Sequence, residues 1–151
     1  MPQFRTSREV GHEAAQMYAL VADVEAYPQF VPLCTGLRVR KRTPLEPGEV
    51  IVADMEVGYK AIREKFTSKV TCDPQTHTIS VEYVDGPFRR LHNQWRFTDC
   101  APGRSAVEFF IDYEFRSRAL GLLMGAVFDR AFRQFADAFE ARADALYGKR
   151  A

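Results

Sequence analysis

Cysteine is scarce in this sequence of 151 residues, which contains only Cys34, Cys72 and Cys100. Their number is odd, their spacings are wide, and no Cys-x-x-Cys pair occurs. Disulfide frameworks need an even set of cysteines, and structural zinc sites need closely spaced ones. The sequence therefore predicts free thiols in a reducing compartment.

Long apolar runs are also missing. The first five residues, Met-Pro-Gln-Phe-Arg, do not begin the apolar segment of a secretory signal. No stretch approaches the roughly 20 apolar residues that a transmembrane helix needs. We therefore expect a cytoplasmic protein, whose contact with a membrane would be peripheral and on the inner face of the cytoplasmic membrane.

The net charge is only +1 at pH 7, which gives no reason to expect DNA as a partner. One basic run is formed by Arg38, Arg40, Lys41 and Arg42. Such runs are typical of solvated edge strands, where charge prevents aggregation. This interpretation is favoured over a contact with RNA or phospholipid.

Motifs for catalysis and metal binding are absent. His12, His77 and His92 lie far apart and have no cysteine pair nearby, so they do not match the spacing of zinc ligands. Neither a G-x-S-x-G elbow nor a P-loop occurs. The strand acids alternate with apolar residues, which predicts a polar outer face rather than an acid–base pair. We expect no enzyme, no metal and no cofactor. These acids are Asp54, Glu56, Glu64, Glu82, Asp112 and Glu114.

Apolar residues, in contrast, make up 46% of the sequence, and 12 residues are phenylalanine. The composition is typical of a globular chain, and the length suits a single domain over residues 1–151. So many aromatic side chains predict either a thick aromatic core or a pocket with aromatic walls.

Seven strands separated by turn signals are predicted, with a helix over 13–24 and a short helical turn and corner over 27–34. Short turns imply antiparallel pairing. The order predicts an α+β fold, in which a curved antiparallel sheet wraps around a long C-terminal helix. The predicted strands cover residues 3–10, 36–42, 49–57, 61–71, 78–84, 89–98 and 105–115, with a turn at 44–48.

The C-terminal helix, predicted over 117–147, has two different halves. Every residue in 119–128 is apolar or glycine, so this half shows no face for water. It either packs into the protein's own core or forms a mobile gate over a lipid-sized pocket. A curved sheet around one helix leaves room between them, and the surplus of aromatic residues favours a cavity there.

Several segments carry a family resemblance. Residues 27–34, Tyr-Pro-Gln-Phe-Val-Pro-Leu-Cys, resemble the Y-P-x-F-[LV]-P-x-C signature of the coenzyme Q-binding START-like proteins in the polyketide cyclase/dehydrase superfamily. Residues 57–68, 84–91, 95–98, 115–123 and 127–128 are similar to further family segments. The likeness covers nearly the whole chain in order.

This resemblance implies a helix-grip (START/Bet v 1-like) fold whose cavity holds a polyprenyl quinone such as ubiquinone. Family members act as lipid carriers or chaperones that support respiratory electron transport, not as enzymes. A bacterial branch, the ribosome association toxins, is nearly identical in these motifs. Leu33 replaces the tryptophan or glycine of many members, so both sub-families stay open. The second hypothesis is therefore a protein that interferes with association of the ribosomal subunits through the basic run, and the third is a small-molecule cyclase or hydrolase.

For the quinone hypothesis, the head group or entrance contacts are predicted to be Tyr59, Lys60, Asp85 and Tyr113. Plain core packing explains the apolar positions of the predicted tunnel equally well. The predicted walls are Phe30, Met55, Phe66, Val81, Tyr83, Trp95, Phe97, Ile111, Leu120, Met124, Val127, Phe128 and Phe135.

Overall fold

Seven strands and two α-helices form the fold in the computed structural model, which describes residues 3–45 and 48–148. A short 3-10 helix lies between the first α-helix and the second strand. The elements in chain order are β1 (Gln3–Val10), α1 (Ala14–Ala22), the 3-10 helix (Val24–Gln29), β2 (Cys34–Pro44), β3 (Glu49–Tyr59), β4 (Ile62–Asp73), β5 (Thr78–Asp85), β6 (Phe88–Ala101), β7 (Arg104–Phe115) and α2 (Arg118–Tyr147).

The strands form one antiparallel sheet in the order β1-β7-β6-β5-β4-β3-β2. From β2 to β7 each strand pairs with its neighbour in sequence. β1 pairs with β7 because α1 and the 3-10 helix carry the chain across to the other edge. The predicted α+β architecture is confirmed, and the basic run lies on the edge strand β2, as predicted.

β7 shows how the sequence builds the inner face of this sheet. Its odd-numbered residues from 105 to 115 are buried, whereas the alternate residues are exposed or half-buried. Strict alternation is the signature of a strand with one dry face. This dry face packs under α2 and forms much of the core.

α2 begins and ends at capping residues. The hydroxyl oxygen of Ser117 accepts a hydrogen bond from the Leu120 N–H at 3.2 Å. Gly148 adopts φ +86°, which only glycine takes without strain, and its N–H donates to the Asp144 carbonyl at 3.0 Å. With 30 residues the helix is about 45 Å long, enough to cross the sheet.

The buried face of α2 differs in part from the predicted one. Helical spacing of the apolar residues in 117–147 predicts Leu123 and Leu146 on the stripe that faces the sheet, but they are 66% and 54% exposed. Leu123 and Met124 are adjacent and both apolar, so the sequence alone does not show which of them faces the sheet. The residues that face the sheet are Met124, Phe128, Ala131, Phe132, Ala136, Phe139 and Ala143.

Polar contacts hold the second half of α2 in place. Arg8 on β1 pairs with Asp137 at 2.6 Å and Glu140 at 3.1 Å. The buried His12 ring lies 2.7 Å from Asp144. Within 3–45 and 48–148, no ion pair joins residues 118–128 to the sheet. The first half of α2 therefore rests on apolar contacts and its cap.

The outer face of the sheet is less exposed to solvent than predicted around β3 and β4. Alternation along β4 predicts that Thr67, like the strand acid Asp54, faces water, but both residues are buried, and the Arg40 side chain pairs with Asp54. The Thr67 hydroxyl donates to Asp54 at 2.5 Å and Arg40 Nε donates to it at 2.8 Å. The hydrogen bonds from Thr67 and Arg40 hold the pKa of Asp54 below its ordinary value.

Strand ends also differ from prediction by a few residues, most of all in β2, which begins at Cys34 and reaches Pro44. The turn predicted at 44–48 includes residues 46 and 47, which lie outside the described residues. Neither α1 nor α2 is long and apolar enough to cross a bilayer, among the residues that the structure describes.

Candidate functional site

A cavity lies between α2 and the inner face of the sheet. Its volume is about 80 Å³. Seven of the predicted tunnel residues line it, contributed by five strands and α2. They are Met55, Phe66, Val81, Trp95, Ile111, Phe128 and Phe135.

A shallow groove of about 280 Å³ adjoins this cavity on the surface, between α2 and the start of β2. Pro32, Leu33 and Ala131 border both spaces. These shared residues stand between the two spaces, and we infer that the groove is the mouth of the cavity with Ala131 at its throat. Two predicted residues, Tyr59 and Val127, lie in this mouth rather than in the cavity.

The Y-P-x-F signature segment builds one wall of the mouth. The Tyr27 hydroxyl donates to the Val21 carbonyl at 2.5 Å, and burial raises the pKa of this hydroxyl. The Tyr27 and Phe30 rings pack edge-on against Phe139, with centroids 5.4 and 5.0 Å away. Leu33 then adopts φ +68°, an uncommon conformation for a leucine. The segment thereby turns sharply and presents Pro32 and Leu33 to the cavity.

Cys34, the last residue of the signature, is not a reactive group. Its thiol is buried and lies 3.6 Å from the Gly36 carbonyl. Burial raises its pKa to about 11, so the thiol stays protonated near neutral pH. Because the thiolate is the nucleophile, the geometry gives Cys34 a packing role.

Other predicted wall residues pack into the core beside the cavity. Phe97 stacks behind Trp95, with ring centroids 6.0 Å apart, and Met124 is buried under the first half of α2. The Tyr83 hydroxyl accepts a hydrogen bond from the Phe88 N–H at 3.1 Å. Leu120 and Phe30 are half-buried against the core.

The predicted head-group residues do not come together. Tyr113 is buried against Phe132, with ring centroids 5.0 Å apart, and Asp85 is exposed at the end of β5. Lys60 lies outside the cavity, with its Nζ 5.3 Å from the centre of the Tyr59 ring. Of this set, Tyr59 alone borders the mouth, among the residues described.

Two polar residues of the lining were missed. Ser68 on β4 and Asn93 on β6 both face the cavity and are 7% and 9% exposed. One N–H of the Asn93 amide donates to the Phe110 carbonyl at 2.8 Å. The signal was in the alternation, because Ser68 stands between inward-facing Phe66 and Val70. Asn93 stands in the same way between Leu91 and Trp95.

The lining is otherwise apolar. Among the residues described, no Asp, Glu, His, Lys or Arg borders the cavity, while Arg130 and Gln134 border its mouth. Such a surface can bury an apolar guest and offer hydrogen bonds from a hydroxyl and an amide. The lining provides no pair of groups for acid–base chemistry.

Comparisons with known proteins agree with this geometry. Residues 10–140 match the sequence profile of a family described as polyketide cyclase / dehydrase and lipid transport. The ribosome association toxin RatA of Escherichia coli strain K12 is 36% identical over 150 residues, which cover 99% of this chain and 92% of the toxin. The mitochondrial coenzyme Q-binding protein coq10 of Schizosaccharomyces pombe is 33% identical over 121 residues, which cover 80% and 73% of the two chains.

A solved structure supports the fold independently. A START superfamily protein from Mycobacterium smegmatis superposes with a TM-score of 0.79, over 95% of this chain and 98% of that one. Its sequence is 20% identical, so this likeness shows the fold alone. The predicted START-like architecture is confirmed.

Proposed function

The chain belongs to the polyketide cyclase/dehydrase and lipid transport family, and we propose that it is a carrier or chaperone for a polyprenyl quinone. The observation that carries this proposal is the apolar cavity under α2, with its mouth beside Val127. The similarity to a coenzyme Q-binding protein supports the same ligand class. In this role the protein would shield the isoprenoid tail from water and support respiratory electron transport without performing catalysis.

Burial of the tail supplies the binding energy. At about 0.8 kcal/mol per buried carbon, each five-carbon unit of the tail contributes on the order of 4 kcal/mol. A cavity lined by phenylalanine, valine and isoleucine side chains accepts such a chain without desolvating charge. A few units are enough for tight binding, because 1.4 kcal/mol corresponds to a tenfold change in affinity.

The cavity must widen to accept the ligand. Its volume of about 80 Å³ is well below the roughly 300–1,000 Å³ of pockets that enclose a whole small ligand. Widening requires the first half of α2 to move away from the sheet, and this half has the weaker anchorage. Met124 and Phe128 of this half pack into the core, as one of the two alternatives expected, whereas Leu122 and Leu123 are exposed. The gate remains our prediction.

Ser68 and Asn93 are suited to the quinone head. The Ser68 hydroxyl and the second N–H of the Asn93 amide are donors, and quinone carbonyl oxygens are acceptors. β4 and β6 are separated by β5, so the two side chains are roughly 10 Å apart across the sheet at about 4.8 Å per strand. This separation leaves room for a ring between them, and the tail would then extend towards the mouth.

Mass spectrometry of organic extracts from freshly purified protein tests the proposal directly. We expect a prenylquinone in the wild-type extract and its loss from a Val127→Lys variant, because a charge in the mouth opposes entry of an apolar tail. Leu146→Lys is the matched control, since Leu146 is exposed on the same helix far from the mouth. Undiminished quinone in a folded Val127→Lys protein would show that the mouth is assigned wrongly.

Ribosome association is the second candidate, supported by the similarity to RatA over nearly the whole chain. On β2, Arg40 pairs with Asp54 and Arg42 with Glu25 and Glu49. Arg38 and Lys41 are exposed, and no ion pair within the described ranges involves them. Within the basic run, these two side chains are therefore the ones available for RNA.

Sucrose gradients of cells that overexpress the protein test this second function. We expect altered subunit association for the wild type and a normal profile for Arg38→Glu/Lys41→Glu, because RNA binding depends on positive charge. An unchanged wild-type profile would count against it. The cyclase hypothesis requires an inward-facing acid or histidine, and the part of the lining that is described offers none.

A further inference from the structure

Two adjacent leucines near the start of α2 face solvent. Leu122 is 82% exposed and Leu123 is 66% exposed, in a protein whose other leucines are mostly buried or half-buried. A single exposed leucine is ordinary, but neighbouring ones on one helix turn form an apolar projection. Neither residue lines the cavity or its mouth. Their exposure is therefore unexplained by ligand binding.

These leucines stand at one end of the molecule, which we term the mouth end. It comprises the β3–β4 turn (59–61), the β5–β6 turn (85–87) and the β7–α2 junction (116–118), which antiparallel pairing brings to the same side. The Arg116 N–H donates to the Pro87 carbonyl at 2.8 Å, which ties the last two together. Tyr59 lies in the mouth beside Val127. The projection and the mouth therefore open in the same direction.

Three exposed arginines lie near the projection, and the acids Glu114 and Asp129 share a groove with one of them, Arg118. Arg116 and Arg118 precede it by two turns or less, Arg89 follows the neighbouring hairpin, and all three are exposed. No ion pair within residues 3–45 and 48–148 involves them. Residues 115–128 contain no acid, and Asp85 is the only acid in the three turns. An apolar projection among unpaired arginines matches the boundary of an anionic bilayer, where acyl chains lie just beneath phosphates.

We propose that the mouth end docks on an anionic phospholipid bilayer. Leu122 and Leu123 enter the boundary between head groups and acyl chains, and Arg116 and Arg118 hold lipid phosphates. Docking turns the mouth towards the membrane, so a quinone passes between bilayer and cavity without crossing water. The passage of quinone between bilayer and cavity rests on the proposed quinone function, whereas docking itself rests on the exposed leucines and arginines.

Flotation with vesicles of phosphatidylcholine, with and without phosphatidylglycerol, tests the docking. We expect the wild type to float with the phosphatidylglycerol vesicles. Leu122→Ser/Leu123→Ser should bind these vesicles at least about 30-fold more weakly, because each substitution removes a leucine side chain that docking would bury in the bilayer. Leu146→Ser is the matched control and should bind as the wild type does. Equal binding by the double leucine variant, or an equal loss in Leu146→Ser, would overturn the proposal.

The arginines need a separate variant. Arg116→Gln/Arg118→Gln should bind about 25-fold more weakly to the anionic vesicles, at roughly fivefold per arginine, and should lose most of the salt dependence. Arg38→Gln/Lys41→Gln removes the same charge from the far edge strand and should change little. The proposal is wrong if the wild type binds neither vesicle type while the leucine and arginine variants lose co-sedimentation with ribosomes. In that case this surface is a ribosome contact.

A solution assay separates this proposal from the quinone function. Trp95 is the only tryptophan and lines the cavity, so its fluorescence should report binding of a short-tail benzoquinone. Both surface variants should bind this probe as tightly as the wild type. If the wild type fails to bind the probe but floats with anionic vesicles, the quinone function is wrong and docking stands. If the wild type binds the probe but does not float with anionic vesicles, the docking proposal is wrong and the quinone function stands.

Discussion

Ala131→Leu should stabilise the empty protein, or leave it unchanged, while blocking the ligand. Ala131 is 5% exposed and borders both the cavity and its mouth. Leucine adds three carbon atoms, and at about 0.8 kcal/mol per carbon the gain is at most about 2.4 kcal/mol if all three fit into the void. Imperfect fit reduces this gain, so we expect a change in the free energy of unfolding between about 0 and +2 kcal/mol.

The same substitution at Ala143 is the matched control. Ala143 is fully buried on the same face of α2 but does not border the cavity. No void receives the added atoms there, and overpacking costs about 1–3 kcal/mol. The two variants therefore introduce the same substitution at two sites that differ in free space. Their free energies of unfolding should change in opposite directions or differ by at least about 1 kcal/mol.

Urea denaturation and quenching of Trp95 by a short-tail quinone are the assays. We expect quinone binding by Ala131→Leu to weaken at least tenfold, because the throat is closed while the wild-type stability is kept. Ala143→Leu should keep its quinone affinity in the folded fraction. The reasoning is refuted if Ala131→Leu destabilises the protein as much as Ala143→Leu, since the throat would then be filled. It is also refuted if Ala131→Leu binds quinone normally, since the ligand would then use another path.

Two further predictions concern single polar groups. Asn93→Leu should weaken binding of the short-tail quinone by about two- to tenfold through loss of one neutral hydrogen bond, as followed by Trp95 fluorescence, and unchanged affinity would remove Asn93 from the head-group site. The pKa of Asp54 is lowered in the folded state, so its contribution to stability is fully present above the ordinary aspartate pKa of about 3.9 and is lost as pH falls through the folded value. Urea denaturation at pH 7 and at pH 3 should show a smaller loss of stability on acidification for Asp54→Asn than for the wild type, and equal losses would contradict this account.

Local patterns predicted the strands and the long helix well. On β7 the alternation is unbroken, so its inward face and its bounds, to within one residue, followed from the sequence. α1 buries Ala14, Met17, Leu20 and Val21, the face that helical spacing indicates. These elements were predictable because each has a dry face and a wet face that the residue types distinguish.

Where the residue types do not distinguish the faces, prediction failed. In 119–128 every side chain is apolar or absent, so periodicity could not show that Met124 turns inward while Leu123 turns outward. Thr67 and Asp54 carry polar groups and are predicted to face water, but both are buried, and they bond to each other while Arg40 on β2 pairs with Asp54. Such burial depends on pairing across strands and is invisible within one strand.

The candidate site was predictable only in part, for a geometric reason. Residues such as Trp95 and Ile111 face inward by alternation, yet whether an inward residue meets a void depends on how far α2 stands from the sheet. That distance is set by alanines and phenylalanines along the whole helix. The inward polar residues Ser68 and Asn93 were the stronger clue, because a polar side chain among apolar neighbours needs a partner.

The two ends of α2 are held in place by different kinds of contact. Its far end is clamped to β1 and to the loop before α1 by Arg8 and His12, and its near end is held by the packing of Met124 and Phe128. Bending at the near end would admit a guest without disturbing the clamp. If the proposed gate operates, the residence time of the guest and the resistance of the chain to denaturation would depend on opposite ends of one helix, so substitutions could change one without the other.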